Sequence, residues 1–252
     1  MKIARFLYKG KEGFGIVKGG QIQVAEGDMF AEFRPTRSVY PLEEVKLLPP
    51  TRPSKIVALG LNYKDHAEEI GQRPPEEPII FLKPSSAVIG HLDDIIYPPM
   101  SQRIDYEGEL GIVLGKVTKG VAEKEADKFI LGYTCFNDVT ARDLQQKDRQ
   151  WSRCKGFDTF APVGPWIETD IDPLGLKFET FLNGVCRQSS STSNLIFTPR
   201  QLVSFISQIM TLYPGDVIAT GTPSGTGPME VGDKIEVVIE GIGRLINFVK
   251  KE

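Results

Sequence analysis

Apolar and polar positions alternate in short runs along most of this chain, the period-2 signature of strands with one face toward a core. Lys2–Tyr8, Gly13–Lys18 and Gln21–Ala25 read as strands, separated by the turn signals Lys9-Gly10-Lys11 and Gly19-Gly20. The run Pro49-Pro50-Thr51-Arg52-Pro53-Ser54 is a stiff, proline-rich linker. Beyond it, strands are predicted at Lys55–Leu61, Ile79–Lys83, Pro162–Ile167, Lys177–Leu182, Val217–Thr220, Lys234–Ile239 and Arg244–Val249. Helical spacing is scarce. Asn62–Gly71 reads as a short helix ended by Gly71, and a second starts near Thr140 and runs through Ala141–Gln150. The clearest is Pro199–Leu212: Thr198 and Gln201 form a capping box, Pro199 takes the first helical position, and Leu202, Phe205, Ile206 and Ile209 share one face.

Many strands and few helices predict a β-rich α+β fold, mostly antiparallel. The expected organisation is a small β-rich domain over residues 1–48, the linker 49–54 and a larger domain over 55–252. At 252 residues and 40% hydrophobic, the chain can bury one substantial core, or one large domain and a small one. Its 30 basic and 33 acidic residues argue against a nucleic-acid or membrane-surface role. No run approaches membrane length, and residue 2 already opens a strand pattern, so neither a signal peptide nor a spanning helix is expected. Three scattered cysteines, Cys135, Cys154 and Cys186, fit a reducing compartment, so a cytoplasmic location is expected.

Chemistry concentrates in Ile104-Asp105-Tyr106-Glu107-Gly108-Glu109-Leu110-Gly111. Carboxylates two apart on a strand share a face, and like charges that close repel unless a cation lies between them. Asp138 follows another strand-like run, Phe129–Asn137, so neighbouring strands would bring three acids together. The other reading is a half-exposed strand whose acids pair with Lys or Arg. With only two histidines, His66 and His91, and no paired-cysteine motif, a zinc site of the usual kind is not expected. Oxygen donors alone suit Mg²⁺, with Mn²⁺ as a second choice.

Two further features bear on function. His66 and Glu69 lie three apart, on one face of the predicted short helix, where a carboxylate could orient an imidazole as general base. Ala219-Thr220-Gly221-Thr222-Pro223-Ser224-Gly225-Thr226-Gly227 could present N–H groups and hydroxyls to an anion, although a plain tight loop explains the same residues. Lys83, Arg142, Gln145 and Lys155 are additional polar candidates for holding a substrate. His91 lies in a loop with no motif attached and is read as structural or exposed.

Taken together these segments resemble the fumarylacetoacetate hydrolase superfamily, close to its acylpyruvate hydrolase and 2-hydroxyhepta-2,4-diene-1,7-dioate isomerase branch. The resemblance runs from Lys55 to about Val249 and rests on Gly60–His66, Phe81–Ser85, Asp105–Gly111, Asn137–Asp143, Lys155–Asp158 and Thr220–Pro223. It implies a barrel-like roll of mixed β-sheets and a homodimer. By position it implies that Glu107, Glu109 and Asp138 are Mg²⁺ ligands, and that His66 and Glu69 are a water-activating dyad on a lid. It places Lys155 near metal and substrate, and Arg142, Gln145 and Thr222 at the substrate's acid end. Burial that lowered the Lys155 pKa would also let it shuttle a proton. Tyr106 departs from the pattern, since several hydrolases carry His there. The implied activity is metal-assisted chemistry on 2-oxo (β-diketo) acids through an enolate, with hydrolytic carbon–carbon cleavage of an acylpyruvate first. Isomerisation or decarboxylation, including that of oxaloacetate, is the alternative. A non-catalytic metal- or metabolite-binding relative is the alternative of another class, and His66, Glu69 and Lys155 argue against it.

Overall fold

The computed structural model describes all of residues 1–252. A 12-stranded sheet is its backbone. Its strands run in the order Phe33–Pro41, Gln21–Gly27, Lys11–Lys18, Lys2–Tyr8, Ala161–Glu168, Ile130–Asn137, Gly108–Leu114, Val217–Ala219, Ile56–Leu59 and Ile80–Lys83, with Lys46–Leu48 and Val88–Ile89 as side branches. A five-stranded sheet, Val185–Ser191, Lys177–Leu182, Lys234–Ile239, Gly243–Lys251 and Asp94–Tyr97, covers its concave side. A third sheet of three short strands, Thr140–Ala141, Ile104–Tyr106 and Gly227–Met229, closes one end. Most pairs are antiparallel, but Val217–Ala219 runs parallel to Ile56–Leu59, and Gly243–Lys251 parallel to Asp94–Tyr97. The β-rich, mostly antiparallel α+β class is what the alternating pattern predicts, and the mixed sheets are what the resemblance implies.

The main core lies between the two larger sheets and the helix Pro199–Ile209. Leu110, Ile112 and Leu114 from one sheet, Phe178, Val237 and Ile239 from the other, and Leu202 and Ile206 from the helix are all buried there. At about 1.5–3 kcal/mol for each such side chain, this burial is the main force holding the sheets face to face. The capping box at Thr198 and Gln201 is present, but the helix ends at Ile209, three residues before the predicted Leu212. The region after Thr140 also differs. Thr140 and Ala141 form a short strand, the helix covers Arg142–Asp148, and a separate turn of helix spans Ser152–Lys155. Arg149 adopts a left-handed conformation (φ 60°) that ends the first of these helices, so Lys155 is aimed independently of Arg142.

Besides several strands of two to four residues, two longer ones carried too little alternation to be read from sequence. Phe33–Pro41 is largely exposed, and Val185–Ser191 is a polar arm hydrogen-bonded to Lys177–Leu182. Residues 1–48 are joined to the rest through sheet pairing, since Lys2 and Ile3 sit opposite Glu168 and Ile167. No helix is long and apolar enough to cross a membrane.

The proline-rich segment is held by a fully buried carboxylate. Asp216 accepts hydrogen bonds from the Ser54 N–H (2.9 Å) and hydroxyl (2.7 Å), from the Tyr213 N–H (2.8 Å) and from the Lys55 ammonium (2.5 Å). Removing it strands several donors at once. Asp216→Ala is expected to cost about 3 kcal/mol, and so to lower the unfolding midpoint by roughly 6–12 °C. A midpoint within 2 °C of the parent protein, measured by calorimetry, would sink this assignment.

Candidate active site

Antiparallel pairing of Gly108–Leu114 with Ile130–Asn137 sets Gly108 opposite Asn137 and Glu109 opposite Phe136. The carboxylates of Glu107 and Glu109 thereby meet Asp138, which follows the end of the second strand. Glu107, Glu109 and Asp138 are all buried, and each offers an oxygen within 4.8 Å of the other two. The pair Glu107/Glu109 does not lie on one continuous strand. Glu107 separates two strands belonging to different sheets, and is pinned by its own N–H donating to Asn137 Oδ1 (3.0 Å) and by the Asp138 N–H donating to its carbonyl (2.8 Å). Gly108 between the acids is obligatory, because a Cβ there would lie 2.4 Å from Thr180 Oγ1.

Cations surround two of the three acids. Lys155 donates to Glu107 Oε2 (2.7 Å) and to Asp138 Oδ2, Arg142 donates to Glu107 Oε1 (2.5 Å), and Lys83 donates to Asp138 Oδ1 (2.5 Å). Arg142 also reaches Asp105 Oδ2 (2.9 Å), which is paired in turn with Arg103. The result is an alternating chain of charge, Arg103–Asp105–Arg142–Glu107–Lys155–Asp138–Lys83. Burial pushes the Glu107 pKa upward, but Lys155 and Arg142 outweigh it and bring it down to about 2. Burial also opposes charge on Lys155, yet Asp138 and Glu107 prevail and raise its pKa. That direction is opposite to the one a proton-shuttling lysine requires.

Glu109 stands apart. Its Oε2 accepts from the Gly221 N–H (2.8 Å), while its buried Oε1 has no hydrogen-bonding partner. Burial first, and then the neighbouring Asp138 and Glu107, raise its pKa well above the ordinary carboxylate value. A buried carboxylate oxygen with no donor, facing two more carboxylates, fits a hard divalent cation such as Mg²⁺ or Mn²⁺. Glu107, Glu109 and Asp138 are the residues that would hold it.

A cavity of about 530 Å³ opens beside this cage, lined by His66, Arg142, Gln145, Lys155 and Thr222 together with Glu107 and the apolar Ile79, Phe81 and Trp151. Phe81 and Trp151 meet edge-to-face at 5.0 Å between ring centres, giving the cavity one rigid apolar wall. His66 Nδ1 lies 2.9 Å from Glu69 Oε2. A carboxylate only accepts, so the bond puts the proton on Nδ1 and leaves Nε2 as the basic nitrogen. Gln145 accepts from Arg142 Nη1 (2.6 Å), and Thr222 Oγ1 accepts from Gln188 Nε2 (2.8 Å). Lys83, by contrast, is sealed behind Asp138 and does not line the cavity. His91 Nδ1 accepts from the Ile246 N–H (3.2 Å), a structural bond. A larger cavity of about 660 Å³ near Asp127 and Asp172 brings no three metal-ligating side chains together.

Several residues of the site were not assigned from sequence. Tyr106, in the place of the hydrolases' histidine, donates its hydroxyl to the Gly225 carbonyl (3.0 Å), and the Gly225 N–H donates to Glu69 Oε1 (3.0 Å). Gly225 has φ +91°, and a Cβ on it would sit 2.2 Å from the Arg187 carbonyl oxygen, so the Thr220–Gly227 loop needs glycine to reach the dyad. Gln188 binds the cage backbone, its Oε1 accepting from the Gly108 N–H (3.1 Å). Asp105 was legible only as a neighbour of the two glutamates.

Because Glu109 brings a third negative charge without a cationic partner, its amide replacement separates metal binding from folding. In EDTA, Glu109→Gln is expected to unfold at or above the parent temperature. It should also lose the metal-induced rise, which for a bound cation at 100 times its Kd is about 2.7 kcal/mol. A thermal shift by Mg²⁺ or Mn²⁺ that survives in Glu109→Gln would remove Glu109 from the ligand set.

The fumarylacetoacetate (FAA) hydrolase C-terminal family matches residues 55–250, and an Rv2993c-like N-terminal family matches residues 1–50. An uncharacterized protein of Archaeoglobus fulgidus is 61% identical over 84% of this chain and 84% of its own length. The bovine oxaloacetate tautomerase FAHD2A, mitochondrial, is 43% identical over 84% of this chain and 71% of its own. Among solved structures, 5-carboxymethyl-2-hydroxymuconate delta-isomerase from Mycobacterium smegmatis superimposes with a TM-score of 0.94 at 43% identity, covering 100% of both chains. Maleylpyruvate hydrolase from Sphingobium sp. SYK-6, in complex with manganese(II) and pyruvate, gives 0.83 at 31% identity, covering 100% of this chain and 99% of its own. A cage of three acids beside a cavity with a His–Glu pair thus sits on a fold shared along the whole chain, and the protein belongs to the fumarylacetoacetate hydrolase family.

Proposed function

We propose that this protein is a Mg²⁺- or Mn²⁺-dependent enzyme that makes and unmakes the enolate of a 2-oxo acid, its reaction being proton transfer between keto and enol forms. The observation that carries this reading is that His66, paired with Glu69, lines the same cavity as Glu107, one of the three acids of the buried Glu107/Glu109/Asp138 cage. A divalent cation in that cage supplies Lewis-acid stabilisation of the negative charge that develops on the 2-oxo oxygen.

The chain's own groups do the rest. Arg142 and Lys155, held at fixed positions by Glu107 and Asp138, offer fixed positive charge to the substrate's carboxylate. The hydroxyl of Thr222 and the amide of Gln145 complete that polar wall. His66 Nε2 takes the proton from the carbon next to the 2-oxo group, the electron pair of that C–H bond forms the carbon–carbon double bond, and the π pair of the carbonyl moves onto the oxygen. Glu69 keeps the imidazole in the required tautomer and stabilises the imidazolium that forms. Return of the proton to oxygen gives the enol, and the reverse sequence gives the ketone. Ile79, Phe81 and Trp151 limit water on the apolar side of the cavity.

Hydrolytic carbon–carbon cleavage of an acylpyruvate, the first expectation from the resemblance, is the second reading. The same His–Glu pair could activate water, and the maleylpyruvate hydrolase of Sphingobium supports it. The bovine tautomerase and the mycobacterial isomerase, both more similar in sequence, favour proton transfer. A cytoplasmic homodimer is part of the same proposal.

Turnover of oxaloacetate enol and of acetylpyruvate, followed in parallel with metal and with EDTA, separates the readings. Metal-dependent conversion of the enol without release of acetate is the expected result. His66→Ala should slow it by about 10²–10⁴-fold while leaving Mn²⁺ binding intact. Acetate and pyruvate appearing from acetylpyruvate at the faster rate would move the protein to the hydrolytic reading. Enol conversion unaffected by EDTA would end the metal-dependent one.

A further inference from the structure

The helix that carries the dyad is only Lys64–Glu69, and its N-cap, Tyr63, makes no side-chain capping bond. A helix of under two turns does not hold itself in water, so its orientation depends on what it is tied to. Ala67 is the one residue of the helix that is buried, and the fully buried Asn62 and Tyr63 anchor the chain where it enters the helix. Polar tethers hold the exposed remainder. Glu69 is tied to the Gly225 N–H at one end. At the other, Asp65 Oδ2 accepts from the Ser190 hydroxyl and from Asn194 Nδ2 (3.3 Å), and Asn194 Nδ2 also donates to Ser190 Oγ (3.1 Å). Asp65 Oδ1 accepts from the His66 N–H (2.8 Å), so the same carboxylate touches the backbone of the dyad histidine.

Ser190 lies on the polar strand Val185–Ser191, two residues from Gln188, and residues two apart on a strand share a face. Gln188 grips the cage, accepting from the Gly108 N–H between Glu107 and Glu109 and donating to Thr222. One strand therefore holds the metal cage through Gln188 and the dyad helix through Ser190. The strand acts as a ruler between two halves of the site that are far apart in sequence.

We propose that Asp65 is a positioning residue: by docking on Ser190 and Asn194 it fixes the His66–Glu69 pair at a set distance from the acid cage. The proposal rests on the dyad's role as the proton-transferring pair. Asp65 touches no reacting atom in this scheme, so its loss lowers the fraction of molecules with the histidine in place and leaves the carboxylate-binding groups as they are. The consequence is a change in kcat with little change in KM.

The test compares Asp65→Ala, Asp65→Asn, Ser190→Ala and His66→Ala in the intact, Mn²⁺-loaded protein. The readouts are oxaloacetate enol turnover, Mn²⁺ affinity by titration, and hydrogen exchange over residues 64–72. Asp65→Ala is expected to lower kcat roughly 10- to 100-fold, the scale of a small misplacement of a catalytic group. Its KM and Mn²⁺ affinity should stay within about twofold, with exchange in 64–72 accelerated. Asp65→Asn keeps one accepting oxygen, and Ser190→Ala keeps Asn194, so both should fall between Asp65→Ala and the parent. If His66→Ala is inactive while Asp65→Ala turns over normally, the dyad stands and the positioning role of Asp65 is overturned. Equal loss of Mn²⁺ affinity in Asp65→Ala would also overturn it, since the damage would then be general. If His66→Ala keeps full turnover, the dyad reading itself has failed and the positioning role goes with it.

Discussion

Carboxylates are rarely sunk into a β-sheet core, because removing their charge from water costs several kcal/mol per ion unless cations and donors replace the solvent. Here Glu107, Glu109 and Asp138 are buried together, and the surrounding structure is arranged around that cost. Lys83, Arg142 and Lys155 supply three positive charges within hydrogen-bonding distance of Glu107 and Asp138. Each arrives from a different element: Lys83 from the edge of the large sheet, Arg142 from the start of a helix, and Lys155 from a separate helical turn. The break in the helix at Arg149 is what allows the last two to approach from independent directions. Glu109, left with one backbone donor, is where the balance remains unfinished and where a divalent cation is most strongly favoured.

That arrangement also explains why the cavity lies where it does. Two sheets packed face to face over Leu110, Ile112, Phe178 and Val237 seal the far side of the cage. The near side is closed by the apolar wall of Ile79, Phe81 and Trp151, by the short dyad helix and by the Thr220–Gly227 loop, the last two tied to each other by hydrogen bonds. A rigid charged floor and a polar, tethered roof suit a reaction in which charge develops at a fixed point while protons are carried from a movable side chain. The relatives named for tautomerisation, isomerisation and hydrolysis are consistent with one floor serving several outcomes.

The legible parts of the site were those whose signal is local. Glu107 and Glu109 are two residues apart and His66 and Glu69 three apart, so spacing alone suggested that each pair could act together. The capping box at Thr198 needed only four residues to be recognised. Lys83 shows the limit of that reasoning. As a lysine in a recognisable motif it was grouped with substrate contacts, yet the strand places its ammonium behind Asp138, away from the cavity. Nothing in Phe81–Ser85 says which side of a carboxylate 55 positions later the lysine will approach. The polar strand Val185–Ser191 was invisible for a related reason, since its serines and Gln188 serve hydrogen bonds to distant segments and leave no apolar alternation.

By itself, the sequence determined the β-rich class, most of the strands, the main helix and the spacing that made the acids and the His–Glu pair candidates. These follow from side-chain periodicity and from chemistry carried within a few residues, while the roles of the candidates came from the resemblance. Only the tertiary structure decided that Asp138 meets the two glutamates, that Lys155 bridges Glu107 and Asp138, that Tyr106 and Gly225 brace Glu69, and that Asp65 ties the dyad to the strand gripping the cage. Those relations depend on strand order and register between segments 17 to 156 residues apart, as in the contacts of Lys155 with Asp138 and of Glu69 with Gly225. Register is set by packing of the whole core and leaves no local mark on the chain.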